Sequence, residues 1–218
     1  MRRWHRHRVP GERWLARARA ALIPSLALLS VGCIPGLFGG ARATIPLGTG
    51  TLAVLPFATP TKSYFESEVG ARFSREIARL VREGCRAANV IDVDRIPTTI
   101  DGRPADELSV TELGRALGAN YVVIGEIHDL RAKDPKTRYV LKGTMVISAR
   151  AFETHEGKIL WSVSRRTVHY PPPIGGEEIP AVESDEEEVI HKVMREAAWV
   201  VAEVFRGPRD PDDEKYLR

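Results

Sequence analysis

The stretch ELGRALGANYVVIGEI, residues 112–127, contains one predicted helix and the most apolar strand candidate of the chain. The helix begins at a capping box, Ser109 to Glu112, in which the Ser oxygen accepts from the Glu amide and the Glu carboxylate accepts from the Ser amide. It is predicted to run to about Leu117 and to stop at Gly118. The segment 121–127 (YVVIGEI) is nearly all apolar, which predicts a strand at the centre of a sheet.

Two strands and a helix are predicted before this stretch. Residues 51–57 (TLAVLPF) form a short apolar run that is typical of a buried strand. Residues 64–83 have the spacing of an amphipathic helix, with Gly84 as its stop. The apolar side of that helix contains Val69, Phe73, Ile77, Leu80 and Val81. Residues 88–94 (ANVIDVD) alternate in polarity and are predicted to be a second strand.

A long hairpin and a last helix are predicted after the central strand. Residues 137–152 and 158–169 alternate and are separated by a turn that contains Gly157. The side chains expected to face the core are Tyr139, Leu141, Met145 and Ile147 on the first strand, and Ile159, Trp161 and Val163 on the second. After a loop at 170–183, a capping box from Ser184 to Glu187 predicts a helix. Its apolar stripe contains Val189, Val193, Ala197, Val200, Val201 and Val204.

These elements predict the fold class α/β (α+β mixed). We expect a single mixed β-sheet of about five strands with three helices, in the order β-α-β-α-β-β-β-α. Helical crossovers make the first strands parallel, and the hairpin makes the last strands antiparallel.

The amino-terminal segment has the composition of an export signal. Residues 1–32 contain seven Arg and no Lys, and an uncharged apolar run occupies residues 21–32. A run of about a dozen residues suits a signal peptide and is too short for the roughly 20 residues of a membrane-spanning helix. We therefore expect the chain to be exported.

The end of this segment, Leu29-Ser30-Val31-Gly32-Cys33, resembles the lipobox of bacterial lipoproteins, in which a Cys is lipidated and becomes the mature N-terminus. The lipobox prefers Leu three residues before the Cys, and here Ser30 occupies that position. The resemblance implies a diacylglycerol on Cys33. The alternative is an ordinary signal peptide cleaved near Ala41 or Ala43, which would leave no lipid.

The charge of the chain changes when the leader is removed. The whole sequence has 32 basic and 29 acidic residues. Seven of the basic residues and one of the acidic residues lie in the leader, residues 1–32. The 25 basic and 28 acidic residues that remain give a net charge of −3, which removes the main reason to expect a nucleic-acid partner. We expect a leader at 1–32, a lipidated flexible tether at 33–50, one domain at 51–206 and a disordered tail at 207–218.

No catalytic, cofactor or metal site is predicted. The histidines after the leader, His128, His155, His169 and His191, lack a metal-binding spacing and are expected at the surface or at strand ends. Once Cys33 is lipidated, Cys85 has no cysteine partner and is expected to be a small apolar residue. The sequence has no GxSxG elbow of a serine hydrolase. We therefore expect a protein that is not an enzyme and needs no cofactor.

Several short sequence segments together resemble those of a family of envelope domains. They are LAVLPF before a helix, REG before NVIDVD, ELGRALGANYVVIGEI, and FETHEGKILW in the hairpin. They resemble the amino-terminal domain of TolB, the curli-secretion lipoprotein CsgG and the penicillin-binding-protein activator LpoB, over roughly residues 51–204. The resemblance implies a protein that works by binding other proteins in the cell envelope. It also implies an outer-membrane lipoprotein facing the periplasm, since Ile34 is not an acidic retention signal.

The expected function is a non-catalytic protein-binding, scaffold or activator module that is held to the membrane by its lipid. The predicted contact surface is the loop that contains Tyr170, Pro171, Pro172, Pro173 and Ile174, because an aromatic residue stands beside three prolines. A periplasmic small-molecule-binding domain is the main alternative, which a deep apolar cavity would favour. A component of an outer-membrane secretion assembly is the other, although the charged hairpin strands are poorly suited to contact with lipid.

Overall fold

The computed structural model describes residues 45–63, 65–136, 140–177 and 179–207. The predicted leader, Cys33, Tyr139 and the tail after Gly207 lie outside these ranges. The strands are β1 (Thr51–Val54), β2 (Asn89–Val90), β3 (Thr99–Ile100), β4 (Arg103–Pro104), β5 (Tyr121–Lys133), β6 (Leu141–Glu153) and β7 (Lys158–Tyr170). The helices are α1 (Glu68–Gly84), α2 (Val110–Leu117) and α3 (Glu186–Arg206).

Five strands form one mixed sheet in the order β2-β1-β5-β6-β7. The pairs of β1 with β2 and with β5 are parallel, whereas β6 is antiparallel to both of its neighbours, β5 and β7. The remaining two strands, β3 and β4, form a separate small hairpin. The predicted fold class and the central position of β5 are therefore confirmed.

The main core lies between the sheet and the pair α1 and α3, which cover the same face. Phe73, Ile77, Val193 and Val201 are fully buried there. A smaller core on the opposite face contains Leu113 of α2 together with residues of β1 and β5. The apolar stripes predicted for α1 and α3 are thus confirmed, except that Val69 is 42% exposed and Val200 is half-buried.

Phe57, just after β1, occupies the centre of the main core. Its ring is fully buried and meets the Phe73 ring edge to face, with centroids 4.8 Å apart. A Cβ at Gly125 of β5 would lie 2.2 Å from Phe57 Cε1 and 2.5 Å from the Ser148 carbonyl oxygen. Only glycine leaves room for this ring, because core atoms are already close-packed.

The predicted helix starts at residues 64 and 184 are corrected by local side-chain hydrogen bonds. Ser67 caps α1, because its Oγ accepts from the amide of Gly70, so that helix begins at Glu68. Asp185, and not Ser184, caps α3, because Asp185 Oδ1 accepts from the amide of Glu187. The capping box and the stop of α2 are as predicted, with Gly118 at φ 62°.

The second predicted strand is much shorter than expected. Only Asn89 and Val90 pair with β1, whereas residues 88–94 were the predicted range. The side chain of Asp92 accepts from the amide of Asp94 and begins a 3₁₀ turn at Val93–Arg95. Short acidic side chains favour such local bonds over strand pairing.

The long hairpin is confirmed, but Ile159 lies on the outer face of the sheet and not on the predicted core face. Met145 and Ile147 are fully buried, and Trp161 and Val163 pack against the main core. Ala151 pairs with Trp161 while Phe152 pairs with Ile159, so Leu160 is an extra residue in β7. An extra residue reverses the faces of the strand residues that precede it. Ile159, which precedes the bulge in β7, is therefore on the outer face and is 50% exposed.

Residues 45–50, which were assigned to the flexible tether, belong to the domain. Ile45 and Leu47 are 6% and 5% exposed and lie in the main core. The amide of Ile45 donates to the Val204 carbonyl oxygen of α3 at 2.6 Å. Gly and Pro in this segment suggested flexibility, but two apolar side chains are enough to fix it against α3. The domain therefore begins no later than Ile45.

We expect Leu47→Ala to lower the free energy of unfolding by about 2–4 kcal/mol, because it leaves a cavity in the main core. Thr49→Ala, which changes an exposed residue of the same segment, is expected to change it by less than about 0.5 kcal/mol. Chemical denaturation of both variants measures the difference. Equal stability of the two variants would contradict the assignment of residues 45–50 to the domain.

Candidate functional site

The loop that follows β7 carries a tight turn at its tip. The amides of Ile174 and Glu177 each donate to the other's carbonyl oxygen at 3.0 Å. Between them, Gly175 and Gly176 have φ of 62° and 87°, left-handed values that glycine adopts without a steric penalty. The turn therefore presents Ile174 at a defined position.

The five residues of the predicted contact loop divide into two groups. Tyr170 is half-buried and packs against the main core, and Pro171 is half-buried as well. Pro172 and Pro173 are exposed, and Ile174 is 68% exposed. Tyr170 is therefore an anchor of the loop, and its exposed part is Pro172 to Ile174. That these residues bind a partner stays a prediction.

A buried carboxylate ties the two ends of the loop together. The Tyr170 hydroxyl donates to Glu183 Oε1 at 2.7 Å, and Lys192 Nζ of α3 lies 2.5 Å from the same oxygen. Lys192 also lies 3.1 Å from Glu188 Oε1. The Glu183 side chain is only 5% exposed. The beginning of the loop, its end and α3 therefore meet at one charged group.

The environment keeps this carboxyl ionised. Burial raises the pKa of Glu183, but the hydrogen bonds from Lys192 and Tyr170 outweigh burial and hold the pKa below its usual value. The bond to Glu183 in turn raises the pKa of Lys192. Burial, together with the bond to Glu183, raises the pKa of the Tyr170 hydroxyl. The cluster is thus a carboxylate, an ammonium and a neutral phenol.

A cleft of about 470 Å³ lies beside this cluster, between the loop and the β5–β6 connection. The residues that line it are Lys133, Val140, Leu141, Pro180, Ala181, Glu183, Ser184 and Glu186. The amide of Ala181 donates to the Leu141 carbonyl oxygen at 2.8 Å, which fixes one wall to β6. The second oxygen of Glu183, Oε2, is buried and accepts no hydrogen bond from the described residues.

A second polar group, which the sequence analysis missed, lies on the sheet face away from α1 and α3. His128 Nε2 is hydrogen-bonded to Ser148 Oγ at 2.7 Å, and His128 Nδ1 lies 3.4 Å from Glu126 Oε1. His128 is inside β5 with its side chain 16% exposed, so the expectation of a surface or strand-end position was wrong for it. The sequence signal was the Glu126-Ile127-His128 alternation, but Ser148 joins it only through the strand register.

Glu126, His128 and Ser148 are arranged as carboxylate, imidazole and hydroxyl, as in the triad of a serine hydrolase, but the hydroxyl has other hydrogen-bond partners. His128 Nε2 and Ser148 Oγ share one hydrogen bond, in which the donor is set by the tautomer of the imidazole ring. The amide of Arg165 donates to Ser148 Oγ at 2.9 Å. A nucleophilic serine needs amides aimed at the developing oxyanion, and here the amide is aimed at the hydroxyl itself. The group therefore serves the strand pairing around Ser148.

The other candidate residues are not brought together. His155 and His191 are exposed, and His169 lies near the end of β7. The thiol of Cys85 is half-buried and donates to the Phe205 carbonyl oxygen at 3.3 Å, and burial raises its pKa. Within the described ranges, no three His, Cys, Asp or Glu side chains are placed to hold a metal ion. No helix in that part of the chain is long and apolar enough to cross a membrane.

No family model matches the sequence, and no curated protein matches it. Among solved structures, the chain is similar to the PelC dodecamer from Paraburkholderia phytofirmans, with 13% identity over 78% of this chain and 96% of that chain, and a TM-score of 0.45. It is also similar to lipoprotein GNA1162 from Neisseria meningitidis, with 14% identity over 70% and 98%, and a TM-score of 0.42.

Escherichia coli LpoB, in its NMR structure, is a third similar protein, with 13% identity over 74% of this chain and 90% of that chain, and a TM-score of 0.36. One of the families named from the sequence phrases is therefore among the similar structures. At these identities and TM-scores, the likeness identifies no family for this chain.

We expect Ser148→Ala to lower the free energy of unfolding by about 1–2 kcal/mol, because His128 and the Arg165 amide lose their partner. Ser162→Ala, at an exposed position of β7, is the matched control and is expected to cost less than about 0.5 kcal/mol. Chemical denaturation measures both. Labelling of Ser148 by a fluorophosphonate probe would contradict the structural role, since only an activated serine reacts.

The Glu183 cluster predicts a dependence of stability on pH. The folded-state pKa of Glu183 lies below its usual value of 4.5, so its contribution is complete above that value and is lost as the pH falls through the folded-state pKa. Glu183→Gln is expected to lower the free energy of unfolding by about 2 kcal/mol at pH 7. That difference from the wild type should shrink at pH values below 4.5.

Denaturation at pH 7, 5, 4 and 3 measures this difference, with the exposed Glu177→Gln as control. A difference between wild type and Glu183→Gln that stays constant over this range would show that the carboxylate charge contributes nothing.

Proposed function

We propose that this chain is an exported lipoprotein, anchored by a diacylglycerol on Cys33, whose domain binds another protein of the cell envelope without catalysing a reaction. The domain contacts that protein through the exposed part of the loop, Pro172 to Ile174. The proposed location is the outer membrane, facing the periplasm. The observation that carries the binding role is the exposure of Ile174 on a turn whose loop is fixed at both ends.

The loop has the physical properties of a recognition element. The Ile174 side chain is 68% exposed, and its burial by a partner would make the free energy of binding more favourable. The hydrogen bonds of the turn and the Glu183 cluster hold the loop before any partner arrives. A pre-ordered loop loses less conformational entropy on binding than a flexible one.

The proposed anchor rests on the order of the amino-terminal features. A run of Arg, an apolar stretch and a small residue before Cys33 follow one another as in bacterial lipoproteins. The domain that begins by Ile45 then lies a short distance along the chain from the modified Cys.

A small-molecule-binding role is less well supported. The cleft beside the loop is lined by three charged side chains, Lys133, Glu183 and Glu186, whereas small-molecule sites are lined mainly by apolar residues. Exposed Ile174 instead favours contact with a protein surface.

Metabolic labelling with a clickable fatty acid, followed by membrane fractionation and envelope crosslinking, tests both parts of the proposal. We expect the wild type to carry the label and Cys33→Ala to lose both the label and membrane attachment. We expect Ile174→Asp to lower recovery of the crosslinked partner about ten-fold. Ile159→Asp is the matched control, because Ile159 is 50% exposed on β7, outside the loop.

The two parts fail separately. A wild type without label would contradict the anchor and would favour cleavage near Ala41 or Ala43. Equal partner recovery from Ile174→Asp and Ile159→Asp would contradict the contact loop and leave the anchor unaffected.

A further inference from the structure

We propose that the cleft beside the loop binds a cationic side chain, lysine or arginine, of the partner protein, with Glu183 as its acceptor. This inference rests on the proposed function and names the chemistry of the partner. It follows from three features of the described residues: an unpaired carboxylate oxygen, an excess of acidic residues, and apolar side chains at the exposed surface.

The unpaired oxygen belongs to a buried carboxylate at the end of the loop. The Glu183 side chain is 5% exposed and lines the cleft, and its Oε1 accepts from Tyr170 and Lys192. Its Oε2 is buried without a hydrogen bond from the described residues. An ionised oxygen that has lost water and gained no donor is destabilising. Because Oε2 has no exposed surface, an N–H donor in the cleft reaches it only after the side chains that cover it shift, and the new hydrogen bond would then remove that penalty.

The charges around the cleft favour a cation over a neutral donor. The sequence from 177 to 188 contains seven acidic residues, Glu177, Glu178, Glu183, Asp185, Glu186, Glu187 and Glu188. Among the described residues, the ion pairs of these carboxylates are with Lys133, Lys192 and Arg72. The sequence from 171 to 188 contains no Lys or Arg. The surplus of negative charge attracts a cation to a site where nearby charges are only partly screened.

The apolar residues nearby indicate that the cation belongs to a protein. Val182, next to Glu183 in the sequence, is 94% exposed, and Ile174, at the turn of the same loop, is 68% exposed. Neither side chain lines the cleft, so a free amine in the cleft would leave both in water. A protein segment with apolar residues beside a lysine or arginine would cover them, and burial of these groups would add to its affinity.

Fluorescence anisotropy tests the inference with three labelled, capped apolar pentapeptides that differ only in a central lysine, arginine or norleucine. The full chain is purified in detergent. We expect the lysine and arginine peptides to bind about ten-fold more tightly than the norleucine peptide. Glu183→Gln is expected to abolish that preference while keeping the size of the side chain.

A second variant tests the cleft independently, in case Glu183→Gln fails to fold. Ser184 lines the cleft and is exposed, so Ser184→Trp blocks the cleft without removing an ion pair of the cluster. It is expected to weaken the lysine peptide about ten-fold. Glu177→Gln is the matched control, since it removes a carboxylate of the same loop outside the cleft lining, and it is expected to change affinity less than about two-fold.

Two outcomes would overturn the inference. One is equal binding of the lysine and norleucine peptides to the wild type; the other is undiminished binding of the lysine peptide to both Glu183→Gln and Ser184→Trp. If either occurs while Ile174→Asp still lowers partner recovery in the envelope, the cation site fails and the contact loop remains.

Discussion

The contact of the Phe57 ring with Gly125 is the constraint on which the fold depends. It brings the end of β1 against the middle of β5, and it leaves the ring edge to face with Phe73 of α1. Parallel strands have no turn to set their register, so a large side chain that fits only at a glycine can set it. With β1 and β5 aligned, α1 and α3 cover one face, and β5 can extend beyond the four residues of β1.

The extension of β5, β6 and β7 places the loop at an end of the sheet that β1 does not reach. Two bulges lie beside Ser148, one at His128 in β5 and one at Arg165 in β7, where Arg165 has φ of 47°. Bulges bend a strand and increase its twist. The hydrogen bonds of Ser148 to His128 and to the Arg165 amide hold both bulges. A polar group in the sheet thus supports the geometry of the distal end.

Periodicity and capping boxes predicted the order of elements, the central strand and α2 correctly, because these depend on short-range patterns. They could not predict the bulges, which arise from pairing between strands and put Ile159 on the outer face. They also missed the burial of Ile45 and Leu47, because two apolar residues among Gly and Pro are too few to define a period. For the site, Ile174 is exposed, and its contact with a partner stays a prediction. The anchoring role of Tyr170 could not be predicted, because it depends on Glu183, thirteen residues away.

The Glu183 cluster does more than the stability of the loop requires. A Tyr170 hydroxyl could be satisfied by a neutral acceptor, and an apolar contact to α3 would fix the loop without burying a charge. The chain instead buries a carboxylate, shares Lys192 between Glu183 and Glu188, and leaves Oε2 without a donor among the described residues. Buried polar groups are otherwise satisfied in folded proteins, so an exception beside a cleft calls for an explanation. The proposed cation of a partner protein would account for the burial of the carboxylate and for its missing donor together.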